Sequence, residues 1–391
     1  MTALPAAPLD RTRLIGIAAA ISATTAVGTS LGLGLPLLAI TLESRGVSSS
    51  TIGLNTAMAG VAALAVTPFV ARIARAVGAA QLLLVSLVIA TLSFPLFFAA
   101  PDLWMWFPLR LVFHGSITFA FVLSEFWINA LAPDGRRGLI LGIYATVLSL
   151  GFSVGPIVLG LVGTEGFLPF ALGTLVLGLS SVPVLFALKA NPAMEEAPRG
   201  NFLRYLTLVP LATFAGFAFG STDSGVLGFI ALYGLRLGYD TAGAALLVTA
   251  VALGNVVSQI PLGLLADKVD RRKLLAAIAG VATLGMALLP AVSGDRWATF
   301  ALLTVWGGVV AGLYTVGLVH LGARLKGSDL AAANAAFVFM YALGMLVGPA
   351  LVGAGMDVWD PHGLAVVLAV ILAAYTALAL WRIATTANRN L

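Results

Sequence analysis

The chain has 391 residues, 60% of them hydrophobic and only 9% charged, with a net charge of +5 and a mean hydropathy of +1.05. A soluble domain carries about 25% charge, so composition excludes a water-facing globule. Apolar runs of about 20 residues recur from end to end, which makes lipid the expected solvent. There are no cysteines, which excludes disulfides and thiolate metal sites. His114, His320 and His362 share no short spacing, so neither a metal nor a cofactor is expected. The basic balance reads as loop charge at a membrane rather than a nucleic-acid surface.

Asp10, Arg11 and Arg13 run straight into an apolar span, which predicts no cleavable leader. Gly, Pro and charge clusters then predict helices over 14–42, 51–71, 80–100, 103–131, 138–162 and 168–189. A second set is predicted over 206–234, 241–265, 274–292, 298–323, 330–353 and 363–383. The fourth helix carries ionisable groups at membrane depth. At about 100° per residue, His114 lies about 40° around the helix from Arg110, Phe121 about 20° and Glu125 about 60°. Such groups are costly in lipid and face a cavity or a partner. Snorkelling or a structural ion pair is the alternative.

Helix 5 carries Gly142, Gly151, Gly155-Pro156 and Gly160. Glycine lets helices approach closely and proline weakens the local hydrogen-bond ladder. Ordinary small-residue packing would look the same. Helix 7 holds Ser221-Thr222-Asp223-Ser224 in an apolar setting. Helices 8, 10 and 11 add Asn255 and Gln259, Tyr314 and His320, and Asn334 and Tyr341. Each of these reads as a ligand contact or as an interhelical hydrogen bond. The loop after helix 8 reads Gly263-Leu-Leu-Ala-Asp267-Lys268-Val-Asp270-Arg271-Arg272-Lys273. There Asp267 can receive the N-terminal dipole of a neighbouring helix.

Seventeen basic residues fall at one set of helix ends and three, Arg45, Arg236 and Arg296, at the other. With an even number of spans, this predicts both termini in the cytoplasm. The charged segment 189–201, with two prolines, reads as part of a linker (189–205) between six-helix bundles at 1–188 and 206–391. The halves are related. An ungapped shift of 193 puts Pro68 on Pro261, Asp102 on Asp295, Trp104 on Trp297 and Gly115 on Gly308. It also puts Gly151, Gly155, Pro156 and Gly160 on Gly344, Gly348, Pro349 and Gly353. The expected fold is an all-α membrane protein with twelve transmembrane helices in two pseudo-symmetric bundles.

The Asp267-Lys268…Arg271 loop and the parallel repeat resemble the major facilitator superfamily. The glycine-proline run of helix 5 is similar to the antiporter motif of its proton-coupled exporters. Arg110 resembles their helix-4 arginine, with Gly115 five positions on where the family has four. The stretch from Ser124 to Arg137, with Gly142 and Tyr144, looks like the YcaD-like branch. The resemblance implies a cavity lined by helices 1, 4, 7 and 10, open to each side in turn. It also implies proton-coupled export of a small molecule from a bacterial-type inner membrane, by a monomer. Arg110, His114, Glu125, Asp223, Gln259, Tyr314 and Tyr341 are the candidates for substrate or proton coupling. Asp267, Lys268, Arg271, Gly151, Gly155, Pro156, Gly348 and Pro349 are the candidates for gating. Two alternatives stay open: a symporter importing an organic anion, sugar or amino acid, and a non-transporting receptor or assembly factor with this fold. No nucleotide loop of the form G-x4-G-K-[ST] is present, and no nucleophile, base and orienter stand together, so neither an ATP-driven pump nor an enzyme is expected.

Overall fold

A computed structural model describes residues 11–131, 137–189 and 202–387. Most of the predicted linker, residues 190–201, and the Ala132–Arg136 part of the YcaD-like stretch lie outside the described residues. The apolar runs are long enough to satisfy their own backbone only as helices, because lipid offers no hydrogen-bond partner. They form α1 (Arg11–Ser44), α2 (Ser49–Val77), α3 (Ala79–Ala99), α4 (Leu103–Leu131), α5 (Arg137–Val162) and α6 (Leu168–Phe186). The second set is α7 (Pro210–Arg236), α8 (Thr241–Lys268), α9 (Arg271–Val292), α10 (Arg296–Arg324), α11 (Gly327–Val358) and α12 (Gly363–Ala387). Among the described residues, 11 of these are long and apolar enough to cross a membrane. The twelfth, α5, has its apolar run at Thr146–Val162.

α2 and α11 run on to Val77 and Val358, past the expected ends at 71 and 353, and two elements differ from expectation for local reasons. α1 is not a uniform helix: Ser30–Gly34, the run Ser-Leu-Gly-Leu-Gly, is a π-turn. α7 does not begin at 206. A short turn, Tyr205–Leu208, stops at Val209, and α7 restarts with Pro210 in its first turn, where the missing N–H costs nothing.

By their contacts the residues form two compact units. One comprises Met1–Leu38 with Ala62–Ala197, the other Ala39–Val61 with Pro198–Leu391. In the first, α1 packs on α4, α5 and α6, and α3 on α4 and α6. In the second, α7 packs on α11, α8 on α10, and α9 on α12. Among the 11 spans long and apolar enough to cross a membrane in the described residues, α7 is the most enclosed.

The glycine-proline runs position these contacts. A Cβ on Gly151 would stand 2.7 Å from the Gly28 Cα, and one on Gly155 would stand 2.4 Å from the Leu33 backbone nitrogen. In the other unit a Cβ on Gly344 or Gly348 would stand 2.3 or 2.2 Å from the carbonyl oxygens of Phe217 and Ser221. Position 221 is 28 plus 193, so the α5–α1 and α11–α7 seams are one device used twice. Pro156 and Pro349 sit inside α5 and α11 immediately after the seam glycines.

Candidate functional site

In the first unit Arg110 is completely buried on α4 and His114, one turn on, is 3% exposed. Neither His114 ring nitrogen has a hydrogen-bond partner among the described residues. The ring stands edge-on to Phe113 with centroids 5.0 Å apart. Further along the expected stripe, Phe121 is half-buried and the Glu125 side chain is exposed. The stripe therefore passes from dry interior to accessible surface, and Arg110 and Glu125 are separate features. Glu125 lies beside a small hydroxyl chain in which Thr24 donates to Ser124 (3.4 Å) and Ser124 meets Tyr144 (3.2 Å).

The second unit gathers three candidates into one place. The Tyr341 hydroxyl of α11 donates to the Asp223 carboxylate of α7 at 3.2 Å. Phe219, one turn before Asp223, has its ring 5.5 Å from Tyr314 and 5.9 Å from Tyr341. Tyr314 is 6.0 Å from Tyr341 and 5.2 Å from Phe337. A carboxylate thus bonds to one of a group of four contacting aromatic rings, and Asp223, Tyr314 and Tyr341 are all half-buried. Beside it, Gln259 accepts from the Thr315 hydroxyl and donates to Asn255 at 2.6 Å. That chain ties α8 to α10. Phe219, Phe337 and Thr315 were not among the expected site residues; four-residue spacing puts Phe219 on the helix face of Asp223 and Phe337 on that of Tyr341, whereas nothing in the spacing points to Thr315.

At the α8–α9 loop Asp267 and Lys268 are exposed, and Asp267 pairs with Arg271 at 3.8 Å. The cap on α9 comes from Asp270, whose carboxylate accepts from the Arg272 N–H at 2.9 Å. Burial raises the Asp270 pKa, but the Arg272 amide and guanidinium and Lys273 outweigh it, so the carboxyl titrates below its ordinary range.

A further cluster sits where α1 ends and α2 begins. Arg236 grips Glu43 through Nε and Nη2, both at 2.9 Å, and reaches Asp360 at 2.6 Å and the Ser49 hydroxyl at 2.7 Å. The two carboxylate oxygens of Asp357 accept from the backbone N–H groups of Ser49 (2.9 Å) and Ser50 (2.8 Å). Asp357, at the end of α11, therefore caps the start of α2. Below this, a Cβ on Gly53 would stand 2.3 Å from the Pro349 carbonyl oxygen, and one on Gly60 would stand 2.4 Å from the Leu346 nitrogen.

A sequence profile described as the Major Facilitator Superfamily matches residues 17–245 and again 212–390. The chain belongs to that superfamily. It is a secondary transporter by family and not an enzyme. Among curated relatives it is 26% identical over 343 residues to an uncharacterized transporter of the superfamily, YfkF of Bacillus subtilis, covering 86% of this chain and 88% of that one. It is 24% identical over 366 residues to a multi-drug resistance efflux pump PmrA homolog of Lactococcus lactis (87% and 88% covered). With YcaD of Salmonella typhi it shares 22% over 291 residues (73% and 74%). Two solved structures share the fold. The nucleoside transporter NupG superposes with a TM-score of 0.72 at 14% identity, covering 96% of this chain and 99% of that one. A bacterial homolog of the lysosomal transporter Spinster superposes with 0.75 at 13% identity, covering 95% and 97%.

Proposed function

We propose that this transporter exports small organic molecules carrying an aromatic ring or a positive charge, in exchange for protons. The observation that carries the reading is the Asp223 carboxylate bonded to Tyr341, whose ring is grouped with those of Phe219 and Tyr314. Aromatic faces attract cations and stack on planar ligands, and a carboxylate fixes the charged end. The same carboxylate is the candidate proton carrier, since substrate cation and proton would compete for one negative site. The efflux name of the Lactococcus relative supports export. The glycine-proline run of α5 supports it less, because its repeat in α11 serves the same close packing. Arg110 favours a second reading, uptake of an organic anion, because a buried guanidinium is a ready partner for a substrate carboxylate. Assignment to a YcaD-like branch is supported by the Ser124–Tyr144 stretch and by 22% identity.

Uphill flux in proteoliposomes with an imposed pH gradient tests the coupling. Asp223→Asn is expected to abolish accumulation against a gradient while leaving exchange measurable, and Glu125→Gln is expected to retain at least half of it. Parental accumulation by Asp223→Asn would make this carboxylate structural. Addition of a cationic aromatic substrate should also release protons from the detergent-purified protein; proton uptake would favour the symport reading.

We also place both termini in the cytoplasm, on the seventeen-to-three division of basic residues. Reporter fusions after Arg204 and after Leu391 should both read as inside. An outside signal from either would reverse the orientation.

A further inference from the structure

The second unit holds a hollow of about 330 Å3 that the transport reading does not use. Its wall includes Arg272 from the start of α9, His320 and Arg324 from the end of α10, and Arg382 near the end of α12. Val209, Pro210 and Leu211 close it, so the first turn of α7 opens onto it. Three guanidiniums and the positive end of a 27-residue helix therefore converge on one space. Asp270, 3.7 Å from Arg272, is already engaged in capping α9.

His320 shows that the space is built to hold something. It is 4% exposed, lines the hollow, and its Nε2 has no hydrogen-bond partner among the described residues. A buried polar atom without a partner is costly unless something supplies the bond.

The repeat offers an internal comparison. At the 193-residue offset, Arg272, His320 and Arg324 correspond to Ala79, Trp127 and Leu131, and Pro210 corresponds to Ile17 inside the uninterrupted first part of α1. Only Arg382 has a basic counterpart, Lys189. A charge pattern serving topology alone would not need a break in α7, a buried imidazole and three arginines at one point. The rim bears on what enters. Trp381 is 59% exposed and Leu208 49% exposed, an aromatic and an aliphatic side chain at the mouth of a basic hollow. Trp at a helix end marks the membrane–water boundary. Basic hollows between spans at that level suit lipid phosphates.

We infer that this hollow is a binding site for the phosphodiester headgroup of an anionic membrane lipid, held by Arg272, Arg324 and Arg382 with His320 donating from below, the acyl chains leaving past Trp381 and Leu208. The leaflet follows from the orientation placed above; the binding itself does not depend on it, nor on the transported substrate.

The test is a titration of the delipidated full-length protein, followed by native mass spectrometry. Dioleoyl-phosphatidylglycerol, dioleoyl-phosphatidylcholine and inorganic phosphate serve as probes. One phosphatidylglycerol should bind at least tenfold more tightly than phosphatidylcholine. Arg272→Gln/Arg324→Gln should weaken it at least tenfold, and His320→Gln severalfold. Arg324→Lys, which keeps the charge but not the fork, should fall between. Arg11→Gln/Arg72→Gln, an equal loss of two charges at exposed positions of the first unit, should leave affinity unchanged. Size-exclusion profiles confirm that each variant is folded, and Arg324→Lys carries the test if the double variant is not. Displacement of phosphatidylglycerol by inorganic phosphate at millimolar concentration would overturn the lipid assignment in favour of a free anion. Equal loss of affinity in Arg11→Gln/Arg72→Gln, or equal binding of phosphatidylcholine, would overturn the site altogether. None of these results bears on uphill flux, so the site and the transport reading fail separately.

Discussion

Gly254→Leu is expected to destroy the folded second unit, whereas Gly263→Leu, the same substitution nine residues along the same helix, is expected to be tolerated. α8 meets α10 through backbone. A Cβ on Gly254 would lie 1.8 Å from the Thr304 carbonyl oxygen and 2.8 Å from the Gly308 nitrogen. Across the seam, a Cβ on Gly307 would lie 2.3 Å from the Val251 carbonyl oxygen. These neighbours are main-chain atoms of a helix and cannot rotate aside. Nor can the seam open without breaking the 2.7 Å bond from the Ser258 hydroxyl to the Gly308 carbonyl. Overpacking of a tight core costs about 1–3 kcal/mol when side chains can yield. Backbone against backbone should exceed the upper figure, about 3 kcal/mol or more. At Gly263 a Cβ meets nothing within 4 Å. Leucine there adds apolar surface and helix propensity of about 1 kcal/mol relative to glycine. Fluorescence-detected size exclusion decides it: a monodisperse peak for Gly254→Leu would show that the seam is looser than its geometry.

Much of this was legible in the sequence because lipid imposes one solution on an apolar run. The helix ranges followed from length and from Gly, Pro and charge punctuation. Asp223, Tyr314 and Tyr341 were legible as polar atoms in apolar spans, and the structure does bring them together. What failed did so for two physical reasons. Local conformation overrode pattern at the π-turn of α1 and at Val209, where φ −130° and ψ 54° break the run ahead of Pro210. And partners distant in sequence decided function where spacing is silent. At the start of α9 the cap comes from Asp270, whose carboxylate accepts from the Arg272 N–H, beside the expected Asp267, which pairs with Arg271. Phe219 and Phe337 are ordinary apolar residues until the α7–α10–α11 packing brings their rings to Tyr314. Glu43 and Arg236 are the most instructive case. They are 193 residues apart, which is the repeat offset itself. Repeat-equivalent positions that meet must lie close to the pseudo-symmetry axis, where a position contacts its own mate. Two charges of one sign there would repel, whereas glutamate and arginine attract.

That pair is also where the second large effect is expected. Arg236→Gln should loosen the hold of the 39–61 segment on α7 and α11. The guanidinium makes four bonds at once: two to Glu43, one to Asp360 and one to Ser49. Losing charge-assisted bonds costs about 1.5–3 kcal/mol when they are dry. Arg236 is 19% exposed and Asp360 59%, so solvent screening brings the figure toward the lower end, about 2 kcal/mol. A shift of that size changes the ratio of open to closed contact roughly 30-fold. The second cap adds asymmetry. α8 is capped from within, Asp240 accepting from the Gly243 N–H, whereas the matching position before α2 is Val47 and the cap comes from Asp357 on α11. Withdrawal of α11 would leave the α2 N–H groups of Ser49 and Ser50 without an acceptor, which links the order of that helix start to the contact. The chain has no native cysteine, so Thr56→Cys reports alone. Thr56 is 1% exposed, and a Cβ on Gly228 would lie 3.2 Å from its methyl. In the purified protein, maleimide should label Thr56→Cys roughly 30-fold faster once Arg236→Gln is added. Adding Glu43→Gln to that background should change the rate little, since its partner is already gone. Asp357→Asn, which acts through the cap, should accelerate labelling on top of either. Unchanged labelling in Arg236→Gln would show that the glycine contacts at Gly53 and Gly60 hold the segment without the ion pair.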